Sequence, residues 1–213
     1  MRRHFSSRMV NDSIIHATLA AINRSKLSPA ILASLEQQKA NEDLPGILLQ
    51  AVITVGDKTK EGELIESVAI PWFEIIQLMQ QDPGIVYQLD WRKWEEIIAA
   101  AYKRQGFEVE LTPRSNDKGR DVIATSRGVG CVRYFDQVKA YKPNNLVTAN
   151  DVRALAGVLE FHPNVSKGVI TTTSAFAPGI YEDEDIKRFM PYRLELKPKE
   201  VLLPWLASLA QSG

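Results

Sequence analysis

Helical spacing opens the chain: Ile15, Leu19 and Ile22 recur on one face from Ser13 onward. Ser28-Pro29 then places a cap and a first-turn proline ahead of a second helix running through Leu35 toward Lys39. The pattern changes after Gly46. Residues 47–55 form an apolar, β-branched run, residues 56–62 are a polar turn, and a second run ends at Ile70, which together predict a hairpin. Pro71 opens a helix carrying Trp72, Phe73 and Leu78, and Asp82-Pro83-Gly84 stops it.

We expect a domain boundary at that stop, with a small α+β domain over residues 1–85 and a second domain over 86–213. In the second part the periodicity predicts helices over 91–104, 149–161, 178–189 and 199–210. Strands are expected over 107–112, 120–126, 131–140, 167–173 and 192–197. A three-strand meander followed by alternating helices and strands implies an α/β fold, a mixed central sheet with helices on both faces.

Composition narrows the class. The 213 residues are 45% hydrophobic, enough for one large core or two modest ones. The formal net charge is zero, so the chain as a whole lacks the basic character of a general nucleic-acid binder. The charge is uneven. Glu36, Glu42, Asp43, Asp57, Glu61, Glu63 and Glu66 make the N-terminal part acidic, whereas Arg114, Lys118, Arg120, Arg127, Arg133, Lys139 and Lys142 gather around residues 114–142. Two helices and a hairpin could build a winged-helix DNA reader, but the acidic bias favours a cover for the second domain or dimer contacts, with Trp72, Phe73 and Leu78 as the expected pairing surface. Cys131 is the single cysteine, and His4, His16 and His162 are far apart, so neither a disulfide framework nor a zinc site is expected. With no apolar run of membrane length and no signal-type segment behind Arg2-Arg3, a soluble cytoplasmic protein is expected.

Candidate chemistry lies in one hairpin. Gly119-Arg120-Asp121 and Gln137-Val138-Lys139 stand on either side of a loop, 127–131, and both Asp121 and Gln137 are eight residues from Val129. An antiparallel hairpin centred there sets 121 opposite 137, and the strand period of two puts Lys139 on the face of Gln137. One carboxylate, one amide oxygen and one ammonium then converge, a donor set for a hard divalent cation and for phosphodiester hydrolysis.

Trp94-Glu95, Gly106-Phe107, Asp117 to Asp121, Gln137-Val138-Lys139 and Lys167 to Thr173, in this order and spacing, resemble the Mrr-type restriction endonucleases over residues 88 to 200. That family is a branch of the PD-(D/E)xK nucleases in which glutamine replaces the second acidic ligand. The resemblance implies Asp121 as central metal ligand, Gln137 as second oxygen ligand, Lys139 as catalytic lysine and Glu95 as the helical glutamate of the site. Glu96 points about 100° away on the same helix. The Val138 carbonyl completes the expected metal shell, with Mg²⁺ as cofactor and Mn²⁺ as substitute. Asp117 fits a turn better than a water-mediated ligand. Arg114, Lys118, Arg120, Lys142, Thr173 and Ser174 are the expected DNA contacts. The implied activity is endonucleolytic hydrolysis of double-stranded DNA, in restriction of foreign or modified DNA, by a homodimer. Alternatives are a junction-resolving or repair nuclease and a non-cleaving DNA-binding module with a nuclease-like core.

Overall fold

The computed structural model describes residues 44–113 and 119–211, and all that follows concerns these. The two helices expected before residue 40, and Arg114, Asp117 and Lys118, lie outside the described residues. In chain order the elements are α1 (Leu44–Leu48), β1 (Ile53–Lys58), β2 (Glu63–Val68), α2 (Ile70–Gln81), a 3₁₀ turn (Pro83–Tyr87), α3 (Trp91–Arg104), β3 (Glu108–Leu111), β4 (Val122–Ser126), β5 (Val132–Lys139), α4 (Ala149–Phe161), β6 (Lys167–Thr172), α5 (Glu184–Lys187), β7 (Leu194–Lys197) and α6 (Lys199–Gln211). Helices α3 and α4 keep the bounds that periodicity and capping predict. Asp90 caps the Lys93 amide, and Thr148 with Asp151 forms a reciprocal capping box.

The seven strands form one mixed sheet in sequential order. β1 to β5 pair antiparallel, and β6 and β7 then join parallel to β5 through helical crossovers, giving the α/β fold. On one face, Trp72, Ile75 and Ile76 of α2, Ile97 and Ile98 of α3 and Leu202 and Leu206 of α6 share one core. On the other, α4 covers Ile123 and Phe135 with Leu159, and Ile170 with Val152 and Leu155.

Four expectations are corrected. The run 47–55 is not one strand: Leu44-Pro45 starts a short helix, and β1 begins only at Ile53, where pairing with Val68 holds it. The helix expected over 178–189 contracts to Glu184–Lys187, because Gly179 turns the chain at φ +87 and Asp183 caps the helix afresh. The hairpin expected within a separate domain over 1–85 belongs to the main sheet. The reason is edge pairing: Glu63↔Leu111 and Leu64↔Glu110 bind β2 to β3, so the hairpin extends the main sheet and covers an otherwise open strand. Finally, Trp72 is no pairing surface. Its side chain is fully buried and its Nε1 donates to the Ile97 carbonyl at 3.1 Å, while Phe73 and Leu78 pack partly buried on the same core.

Candidate active site

The β4–β5 ladder runs from Ser126↔Val132 to Val122↔Asp136, symmetric about Val129 as the residue spacing predicts. Gly128 and Gly130 take positive φ in the connecting loop, conformations that need no Cβ. Beyond Val122↔Asp136 the ladder opens. The Asp121 amide donates to the Asp136 carbonyl at 2.9 Å, and the Asp121 carboxylate takes the place of a backbone acceptor, receiving the Val138 N–H at 2.7 Å. Thr112 pins Asp121 from the other side, its N–H and hydroxyl donating to the Asp121 carbonyl at 3.0 and 3.1 Å. A buried carboxylate is thereby fixed at the point where two strands part.

Gln137 stands across that opening. Its Oε1 is shielded from solvent with no hydrogen-bond partner. A buried amide oxygen left this way costs on the order of 1–3 kcal/mol unless something else meets it, and an ion is one remedy. Lys139, two residues on and on the same face, has its Nζ 3.3 Å from Asp151 Oδ1. Asp151 is held in turn by the Thr148 N–H and hydroxyl. Burial pushes its carboxyl up, but those hydrogen bonds and the Lys139 charge outweigh burial and leave it below the usual aspartate range.

Glu95 and Glu96 diverge as the helix geometry requires. The Glu95 side chain is 6% exposed against 21% for Glu96. Glu95 Oε2 lies 2.7 Å from Arg92 Nη1, which also donates to the Thr112 carbonyl at 2.9 Å, so Glu95 is linked through Arg92 to the residue that pins Asp121. Glu96 pairs with Lys93 at 3.1 Å and lines a surface hollow with Asp90 and Leu111.

Three of the expected DNA contacts are placed otherwise. Arg120 is 5% exposed, stacked 4.6 Å from the Phe135 ring centroid and paired with Glu61 at 3.2 Å. Thr173 and Ser174 are buried, their hydroxyls donating to the Tyr141 and Pro143 carbonyls, because the end of β6 is stitched to the loop after β5. Lys142 alone among the described candidates is exposed.

Periodicity did not single out Asp136, Asp151 or Glu61. Asp136 is fully buried on the opposite sheet face, where the Tyr102 and Thr171 hydroxyls donate to its Oδ2 at 2.8 and 2.9 Å. Burial raises its pKa to about 7, against the lowering effect of Lys197 and of those two hydrogen bonds. A charged residue between Tyr134 and Val138 on one strand face was the available signal. For Asp151 it was Thr148-Ala-Asn-Asp151, a capping-box spacing.

Among the described residues no three His, Cys, Asp or Glu side chains gather as a metal-holding group. An ion here would draw on one carboxylate, Asp121, with the Gln137 amide oxygen and a backbone carbonyl, all hard oxygen donors. That set and the unpartnered Oε1 fit a hard divalent cation.

The Mrr_cat family model, described as a restriction endonuclease, matches residues 86–194, just over half of the 213-residue chain. The chain belongs to this family of restriction endonuclease catalytic domains. An uncharacterized protein, y4cE, of Sinorhizobium fredii (strain NBRC 101917 / NGR234) is 28% identical over 109 residues, which span 51% of this chain and 28% of that protein. Three solved structures are similar: the MspJI restriction endonuclease in complex with a 27-mer oligonucleotide (TM-score 0.41, 16% identity, 66% of this chain and 34% of that one), the DNA modification-dependent restriction endonuclease AspBHI (0.39, 19%, 76% and 44%) and the restriction endonuclease FokI (0.41, 14%, 69% and 29%). The chain thus spans less than half the length of each of these relatives. No helix among the described residues is long and apolar enough to cross a membrane.

Proposed function

We propose that this chain hydrolyses phosphodiester bonds of double-stranded DNA endonucleolytically, in restriction of foreign or modified DNA. The observation that carries the reading is the buried, unpartnered Gln137 Oε1 beside a fixed Asp121 carboxylate, with Lys139 on the same strand face. Asp121, Gln137 Oε1 and the Val138 carbonyl would hold Mg²⁺, or Mn²⁺ in its place, with Glu95 at the edge of the site. When bound, the ion supplies a Lewis acid for the scissile phosphate and a bound water of lowered pKa.

The protein groups then have separable tasks. Asp121 is held by Thr112 and Val138, so its position does not depend on the ion. Lys139 leaves Asp151 to orient the attacking water and to balance the charge that grows on the phosphate. With glutamine in place of a second acid, the residues that would hold the ion carry less negative charge, so their affinity for it would be modest without DNA. Lys142 contacts the DNA backbone. A double-strand cut needs two such sites or two sequential events, and we take two copies to act together, through a surface other than the buried Trp72.

The test is plasmid cleavage by wild type and Asp121→Ala, with Mg²⁺, Mn²⁺ or chelator. Cutting that needs the ion and Asp121 and leaves 5′-phosphate ends supports the reading. Cutting that survives either removal refutes it, and metal-independent DNA binding without cutting favours a binding module.

A further inference from the structure

The site has a contributor outside the stretch that the family model matches. Glu61 lies in the β1–β2 turn. Its Oε1 is 3.2 Å from Arg120 Nη2, and its Oε2 accepts from Arg133 Nη2. Both guanidinium groups stack on one ring, at 4.6 and 5.4 Å from the Phe135 centroid. His162 Nε2 lies 3.4 Å from Arg120 Nη1. The turn itself is anchored, since the Thr59 hydroxyl reaches both the Gly62 carbonyl and Glu110 Oε2. Gly62 sits so close to β3 that a Cβ there would fall 2.3 Å from the Leu111 carbonyl oxygen. A fixed turn on β3 therefore sends one carboxylate across β4 to β5.

One end of this bridge, Arg120, lies where regular pairing of β4 with β5 stops, and the other, Arg133, lies inside the ladder opposite Thr125. Past Val122↔Asp136 the ladder between β4 and β5 ends, and Arg120 immediately precedes Asp121. A buried guanidinium needs a carboxylate partner, and here that partner also grips the neighbouring strand. We infer that Glu61 is a positioning residue for Asp121: by tying Arg120 to Arg133 it holds the start of β4 against β5, which keeps the Asp121 carboxylate on the Val138 N–H and beside Gln137. The inference rests on the nuclease reading for its effect on catalysis but not for its geometry. It follows that residues 86–213 alone lack a part of the site.

Amide hydrogen exchange of the full chain reads the geometry directly, through the Val138 N–H that Asp121 holds. In Glu61→Gln the Val138 amide should exchange about tenfold faster while α3 amides keep their protection, a local opening and not a global one. The same variant should need several-fold more Mg²⁺ for half-maximal cleavage with little change in KM for DNA. Glu63→Gln, whose carboxylate reaches Lys58 at 3.9 Å, should behave as wild type. Should Glu61→Gln not unfold cooperatively, Arg133→Met cuts the tie to β5 alone and should speed Val138 exchange about threefold. Wild-type Val138 protection in a folded Glu61→Gln protein, or in Arg133→Met, overturns the inference. A wild type that never cleaves would instead sink the nuclease reading and leave the exchange result to decide the positioning role.

Discussion

Asp136 and Gln137 are neighbours on one strand and face opposite sides of the sheet. Asp136 enters a closed, aromatic-lined space where Tyr102 and Thr171 donate to its Oδ2, its Oδ1 has no partner, and Lys197 lies over the Trp205 ring, 3.7 Å from its centroid. Gln137 enters a space where nothing meets its carbonyl oxygen. The acidic residue is thus on the structural face, and the amide is on the face with Asp121 and Lys139. A carboxylate near a candidate metal site is not by itself a ligand: which sheet face it takes decides what it can meet.

The largest expected effect separates the two faces by assay. Lys139→Ala should lower cleavage about 10³-fold or more, as loss of a transition-state charge contact does, with the urea midpoint nearly unchanged. Cleavage within tenfold of wild type would remove Lys139 from the chemistry.

Asp136→Ala should do the reverse. It leaves the Tyr102 and Thr171 hydroxyls buried without their acceptor, costing about 3 kcal/mol in urea unfolding, while the remaining folded protein still binds Mn²⁺. An unchanged midpoint would show that the closed face is not held by this carboxyl.

The pH dependence sharpens the same contrast. Because burial raises the Asp136 pKa from 3.8 to about 7, the folded state holds a proton that the unfolded chain has already lost. Its stabilising contribution is therefore complete below about pH 4 and is lost as pH rises through 7, a span on the order of 4 kcal/mol. Asp136→Asn, which cannot ionise, should flatten that part of the stability profile. A slope equal to wild type would assign it to other groups.

Smaller effects test the edge of the open face. Glu95→Gln should reduce cleavage about tenfold and Glu96→Gln less than twofold, since only the former is joined to Thr112 through Arg92. Equal losses would break the distinction between the two helix faces. Lys142→Ala should weaken DNA binding uniformly across sequences and lower the salt slope by about one, measured by anisotropy at several ionic strengths. A sequence-dependent loss would make Lys142 a base reader.

Local rules made much of this legible. The symmetric spacing about Val129 gave the β4–β5 register, and the caps at Asp90 and Thr148 gave the helices that flank the site. What escaped was long-range. Nothing near Leu64 announces pairing with Glu110, so the hairpin read as part of a separate domain. Arg120 read as a DNA contact because its partners, Glu61 and Phe135, come from the β1–β2 turn and from β5. Thr173 and Ser174 read as open hydroxyls because the carbonyls they meet belong to the loop after β5. Burial of polar groups depends on what folds over them, and no local spacing encodes it.

The turn at 127–131 carries a last consequence. Directly paired residues on β4 and β5 share a sheet face, and the register that sets Val122 against Asp136 turns Asp121 to the face of Gln137 and away from the face of Asp136. Length changes confined to the tip, odd or even, leave that pairing untouched, because the ladder and not the tip decides which side chains share a face. A one-residue shift of the ladder would instead present the Asp136 carboxyl to Asp121 and turn Gln137 into the aromatic core.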